Sequence, residues 1–102
     1  MDATIKRSRD QLEELLAAHE VTSGLLLRVR GKQITLVREE PGPGGAPEDE
    51  PCVRLTHLGQ GSFGISVLRH TGSWERTPFS GNVDDVVEVL LGPMQHLVAK
   101  WP

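Results

Sequence analysis

The sharpest pattern in the chain is the alternation over residues 25–38, Leu25-Leu26-Leu27-Arg28-Val29-Arg30-Gly31-Lys32-Gln33-Ile34-Thr35-Leu36-Val37-Arg38. Gly31-Lys32 suits a two-residue hairpin turn with glycine at its first central position. That turn pairs Arg30 with Gln33, Val29 with Ile34, Arg28 with Thr35, Leu27 with Leu36 and Leu26 with Val37. The pairing sorts aliphatic side chains to one face and arginine and threonine to the other. Turn chemistry and alternation therefore predict the same hairpin.

Upstream, residues 4–19 read as a helix. Ile5, Leu12, Leu15, Leu16 and His19 recur near helical spacing as one stripe, and Thr4 or Ser8 is placed to cap its start. Downstream, residues 39–51 hold four prolines, three glycines and five acids, EEPGPGGAPEDEP. Such a segment has nothing to bury, which predicts a flexible acidic Pro/Gly loop.

Three further strands follow, Val53–His57, Phe63–His70 and Ser73–Phe79, separated by Gly59-Gln60-Gly61-Ser62 and by Thr71-Gly72. Val53, Leu55, Phe63, Ile65, Val67 and Trp74 are the expected core contributors. Pro78 lacks an N–H, so the last strand should be short and at an edge, and its alternation puts Arg76 on the core side. Asn82 reads as an N-cap with Asp84 and Asp85 in the first helical turn. Val83, Val86, Val87, Leu90, Leu91, Met94, Leu97, Val98 and Trp101 keep helical phase across Gly92-Pro93, as a kinked helix or two short ones in line. The expected fold is one α+β domain over residues 1–102. Its sheet is an antiparallel meander of four to five strands, with the N-terminal and C-terminal helices packed on one face.

Composition adjusts this picture. The 102 residues carry a net charge of −3, two Trp, two Phe and no Tyr, so the core is mostly Leu and Val. Mild acidity argues against a dominant nonspecific attraction to nucleic acid or anionic membrane. Yet Arg28, Arg30, Lys32, Arg38, Arg54, Arg69 and Arg76 fall in stretches that read as strands, where Glu75 is the one acid. An acidic protein thus carries a basic sheet. Cys52 is the single cysteine and allows no internal disulfide. The amphipathic start lacks a signal-peptide stretch and no apolar run reaches the ~20 residues of a membrane span, so a cytoplasmic location is expected, with no membrane partner.

Two likenesses touch on function. The order helix, strands, helix resembles that of small RNA-binding domains, including double-stranded-RNA-binding domains and the Alu-binding proteins of the signal recognition particle. The likeness is one of layout; where the double-stranded-RNA-binding family has a basic helix start, this chain has Asn82-Val83-Asp84-Asp85. Leu58-Gly59-Gln60-Gly61-Ser62-Phe63-Gly64 resembles the glycine-rich loop of protein kinases, but no HRD or DFG tripeptide and no lysine in the next strand accompany it. A tight hairpin turn needs the same glycines.

No cofactor or metal is expected. His19, His57, His70 and His96 share no ligand spacing with one another or with Cys52, and no constellation supports an enzyme. The candidate binding surface is the arginine face: Arg28, Arg30 and Arg54 with Thr35, Thr56, Ser66 and His70, where guanidinium groups can grip carboxylates or phosphates bidentately. No aromatic has the strand parity to join it, and Glu75 falls on it. A second candidate is the edge strand, where exposed Trp74 and Phe79 would invite pairing with another chain. These features point to a small non-catalytic binding or regulatory protein acting through a protein partner or self-association. An RNA- or single-stranded-DNA-binding domain using the arginine face is the alternative.

Overall fold

The computed structural model describes residues 3–98, Glu40 by its backbone alone. Helix α1 spans Ala3–Ala17, followed by strands β1 (Leu26–Arg30), β2 (Gln33–Pro41), β3 (Pro47–Gly59), β4 (Ser62–Leu68) and β5 (Trp74–Gly81), then helices α2 (Val83–Leu91) and α3 (Gln95–Val98). The strands form one antiparallel meander in the order β1-β2-β3-β4-β5. The fold is the α+β meander the sequence predicts, with five strands.

The β1–β2 register pairs the five residue couples that the turn chemistry dictates. Gly31 takes a φ of 59°, as glycine in the first turn position must, and Lys32 does not. Helices α1, α2 and α3 lie on the aliphatic side of the sheet. Ile5, Leu12 and Leu16 of α1, and Val83, Val86, Val87 and Leu90 of α2, meet Ile34, Leu36, Val53, Leu55, Phe63 and Ile65 in one core. Both sheet and helix thereby bury their apolar side, which neither can do alone. Asn82 caps α2 through a reciprocal box: its side chain accepts from Asp85 N at 2.9 Å, and the Asp85 carboxylate accepts from Asn82 N at 3.1 Å. The box satisfies donors that a helix start otherwise leaves unpaired. Gly92 ends α2, and α3 continues after a turn. Trp101, expected in the same apolar phase, lies outside the described residues.

Several expectations are corrected. Thr4 and Ser8 lie within α1, whose first described residue is Ala3, and Ser8 is buried against the core side; His19 follows the helix and is exposed. Residues 39–51 are mostly strand. The β2–β3 pairing runs on through Glu39↔Asp49 and Glu40↔Glu48 to Pro41↔Pro47, and only Gly42–Ala46 turns the chain. Exposed acids leave main-chain pairing available, and each proline gives up only its own N–H and keeps its carbonyl, so lack of burial does not by itself prevent a hairpin. A register shift opposite Leu36–Val37 leaves Cys52 as the extra residue of β3 where this arm begins.

Arg38 does not join the basic face. It is 6% exposed, on the helix side, and its guanidinium donates to the carbonyl oxygens of Val21, Ser23 and Val98. One side chain thus ties the α1–β1 loop and the end of α3 to β2.

In β5 the expected orientation is reversed. Leu68 pairs with Trp74, Val67 with Glu75 and Ser66 with Arg76. Trp74 and Arg76 therefore share the uncovered face, Glu75 takes the opposite side, and Phe79 is the ring that packs against the core. Trp74 and Phe79 have opposite strand parity, and only one can face the helices. Pro78 has no N–H to donate, and the Thr77 hydroxyl donates to Ile65 O at 2.8 Å within the irregular stretch of the β4–β5 ladder.

Candidate binding face

The side of the sheet away from the helices is ordered in rows that cross the strands. One row holds Arg30, Gln33, Thr56, Gly64 and Ser80, each paired with the next across the ladders. The next holds Arg28, Thr35, Arg54, Ser66 and Arg76. Two residues further along come Leu26 and Val37 at one side and Leu68 and Trp74 at the other. Beyond them, on the β2–β3 arm alone, stand Glu39 and Asp49. From one end to the other the face is polar, basic, apolar and acidic.

Each arginine is held differently. Arg28 grips Asp49 with two nitrogens, Nε to Oδ2 at 3.1 Å and Nη2 to Oδ1 at 3.3 Å. This contact, with Glu39 contributing further, raises the Arg28 pKa above its already high ordinary value. Glu39 and Asp49 stand opposite each other, an arrangement of like charges that Arg28 relieves. Arg54 lies over the indole of Trp74, its Cζ 4.3 Å from the ring centroid, and its Nε donates to Thr35 Oγ1 at 3.3 Å. A cation over an indole face contributes about 0.5–1 kcal/mol at a partly exposed site. Arg76 lies across Gly64, where a Cβ would collide with the guanidinium. Arg30 is exposed, and its side chain makes no hydrogen bond or ion pair with the described residues.

The other predicted site residues sort clearly. Arg28, Arg30, Arg54, Thr35, Thr56 and Ser66 share the face. His70 does not: β4 ends at Leu68, and His70 belongs to the following turn, which Arg69 N closes on Ser73 O at 2.8 Å. Phe79 is half-buried against the core rather than displayed on the edge. Glu75 pairs with Arg69 beside that turn. Sequence reasoning named Trp74 as an edge-strand candidate but did not place it on this face, and it missed Arg76, Leu68 and the acids of the arm; counting strand parity from the Leu68–Trp74 pair would have placed Trp74 and Arg76 here.

The glycine-rich stretch is a turn and a clearance. Gly59 pairs with Ser62, so Gln60-Gly61 is a two-residue loop, and both residues take positive φ, 53° and 73°. This is the hairpin turn whose twist matches the strands. Gly61 N–H donates to His57 Nε2 at 3.3 Å, and Gly64 makes room for Arg76.

No protein-family model, curated protein or solved structure matches the chain. The face must therefore be read from its own chemistry. Among the described residues no group of three or more His, Cys, Asp or Glu is arranged to hold a metal ion, and no helix is long and apolar enough to cross a membrane. His57 stands five residues along β3 from Cys52, about 16 Å at strand rise, so the two form no dyad. Leu26, Val37, Leu68 and Trp74 all lie outside the helix-side core, Leu68 exposed, Leu26 and Trp74 partly so, and Val37 already buried at 3% exposure. Tryptophan and arginine on an apolar patch with a polar margin are the residue types that carry most of the energy in protein interfaces.

Proposed function

We propose that this chain is a small, non-catalytic, cytoplasmic binding protein whose uncovered sheet face receives another protein. The observation that carries the reading is the placement of Trp74 and Leu68 on the uncovered face, flanked by Arg54 and Arg76. Leu68 is 38% exposed, an apolar side chain displayed beside an indole that no helix covers. Trp74, partly sheathed by Arg54, offers a rigid anchor, and the remaining guanidinium donors offer directional contacts to carboxylates or carbonyls.

The runner-up, single-stranded RNA or DNA, gains from the same residue, because an indole on an arginine face is a stacking platform for bases. Two features weigh against it. Arg28 is already occupied by a carboxylate, and Glu39 and Asp49 border the face where a phosphate backbone would have to pass.

A photo-crosslinking amino acid at position 68, with one at Glu14 on the exposed side of α1 as control, tests the assignment in cells. Protein adducts from position 68 and not from position 14 are expected. Adducts to nucleic acid from position 68 would move the runner-up to first place. Equal labelling from both positions would remove the face as the binding surface.

A further inference from the structure

The order of the rows on the sheet face has a symmetry that names an occupant. The basic row (Arg28, Arg54, Arg76) precedes the apolar row by two residues, and the acidic pair Glu39 and Asp49 follows it by two, so each lies about 7 Å from it at strand rise. A two-fold axis lying in the plane between two such sheets, along the apolar row, brings apolar row onto apolar row. The same rotation carries the basic row of one copy over the acidic pair of the other, twice. Position along the row is unchanged by this rotation, so β3 stands over β3. Arg54 then meets Asp49 on β3 of the second copy, with Glu39 one strand to the side.

We propose, building on the reading of this face as a protein-binding surface, that its partner is a second copy of the chain, in an isologous dimer with the two-fold along the Leu26, Val37, Leu68 and Trp74 row. The chain carries both halves of the contact. Arg28 already holds Asp49 within one copy, a sample of the arginine–carboxylate chemistry that Arg54 repeats between copies. Stacking two sheets through their inner faces is a standard packing solution, and a closed two-fold uses one patch on both molecules. It would cover the exposed Leu68 and the indole, and it would leave the helix side free.

Five strands about 4.8 Å apart and rows about 7 Å apart make a face of roughly 500 Å² in plane. That is toward the small end of specific interfaces, the size class of weak and transient contacts.

The test is light scattering and sedimentation of the full chain from about 10 to about 500 µM, a range wide enough to register a weak association. The wild-type protein should approach twice its 11.2 kDa as concentration rises. Arg54→Glu and Asp49→Arg, each kept only if circular dichroism shows it folded, should each weaken the dimer at least about tenfold by placing like charges opposite one another. Mixing the two variants should restore it. In the mixed dimer the introduced glutamate faces the introduced arginine at one contact, and the native Arg54 and Asp49 meet at the other. A residue acting only within its own chain would not be rescued by mixing. A wild-type chain that stays monomeric throughout, reversals that leave the dimer intact, or a mixture that fails to associate would each overturn the dimer. A monomer that still crosslinks to other proteins through position 68 would leave the broader reading standing.

Discussion

Ile65 and Leu68 lie in the same strand three residues apart and belong to different environments. Ile65 is 0% exposed among Leu55, Phe63 and the helices, whereas Leu68 is 38% exposed on the opposite face, beside Trp74. Equal amounts of hydrocarbon contribute unequally to folding according to which face they occupy. The helix side is closed by two layers of apolar packing and determines stability. The other side holds Leu26, Val37, Leu68 and Trp74 in a row between charged rows, where no helix packs. Truncating each residue is the largest and most direct way to break this contrast. Ile65→Ala should cost about 2–5 kcal/mol, a cavity in a core with no route to collapse. Leu68→Ala should cost below about 1 kcal/mol, in the range of a surface change. Urea denaturation of the two variants side by side measures both, and losses of similar size would show that the open face is part of the folding core.

The same division separates what is legible in the sequence from what is not. The β1–β2 hairpin is legible because Gly31-Lys32 and the alternation on either side are local and agree. The helices and the order of strands are legible for the same reason. The arm at 39–51 reads as a loop because its composition speaks to burial, whereas the hairpin needs only main-chain pairing and the turn at Gly42–Ala46. Residue type assigns Trp74 to the core, and strand register places Phe79 there instead. Of the candidate face, Arg28, Arg30, Arg54, Thr35 and Thr56 follow from parity. The acidic pair and the indole do not, since both depend on elements whose register the sequence leaves open.

Arg38 is the exception that sharpens the comparison, a charged side chain on the closed face. Its parity with Ile34 and Leu36 is visible in the sequence, but the carbonyls that satisfy it belong to Val21, Ser23 and Val98, the last 60 positions away. Arg38→Met should keep the aliphatic packing and leave those carbonyls without this donor, at a cost of about 2–4 kcal/mol. Arg38→Lys should recover only part, because a single ammonium lacks the planar fork that reaches several acceptors at once. Arg54→Met on the open face gives up a partly exposed cation–π contact and should cost about 1 kcal/mol or less. Thermal denaturation ranks the three, and an Arg54 variant as damaging as the Arg38 one would erase the distinction between the faces.

Gly64 offers a finer test on the open side. An added Cβ would meet the Arg76 guanidinium, the far end of a flexible side chain that can move aside. Gly64 has no positive φ to lose, and glycine weakens a strand interior by roughly 0.5–1 kcal/mol relative to alanine. Gly64→Ala should therefore be neutral or stabilise by up to about that amount, while freeing Arg76 to sample other positions. A loss above about 1 kcal/mol would mean that Arg76 is fixed over Gly64 as firmly as a core side chain, a degree of order not expected of an exposed sheet face.

The smallest expected effect concerns the Arg28–Asp49 pair. Both side chains are about half exposed, 54% and 43%, and pairs of this kind contribute little because water and salt screen them. Asp49→Asn also removes the repulsion between Asp49 and Glu39 across the arm, so two small terms of opposite sign partly offset each other. The melting temperature should stay within about 2 °C of the wild type. Amide exchange should separate the local from the global consequence: the β2–β3 pairs beyond Val37 should exchange faster, with the Ile34, Leu55 and Ile65 amides unchanged. If core amides also lose protection, the acidic arm is mechanically continuous with the core. If no amide changes, the arm is held by its own ladder, and Asp49 is free to serve an arginine of another molecule instead of its own.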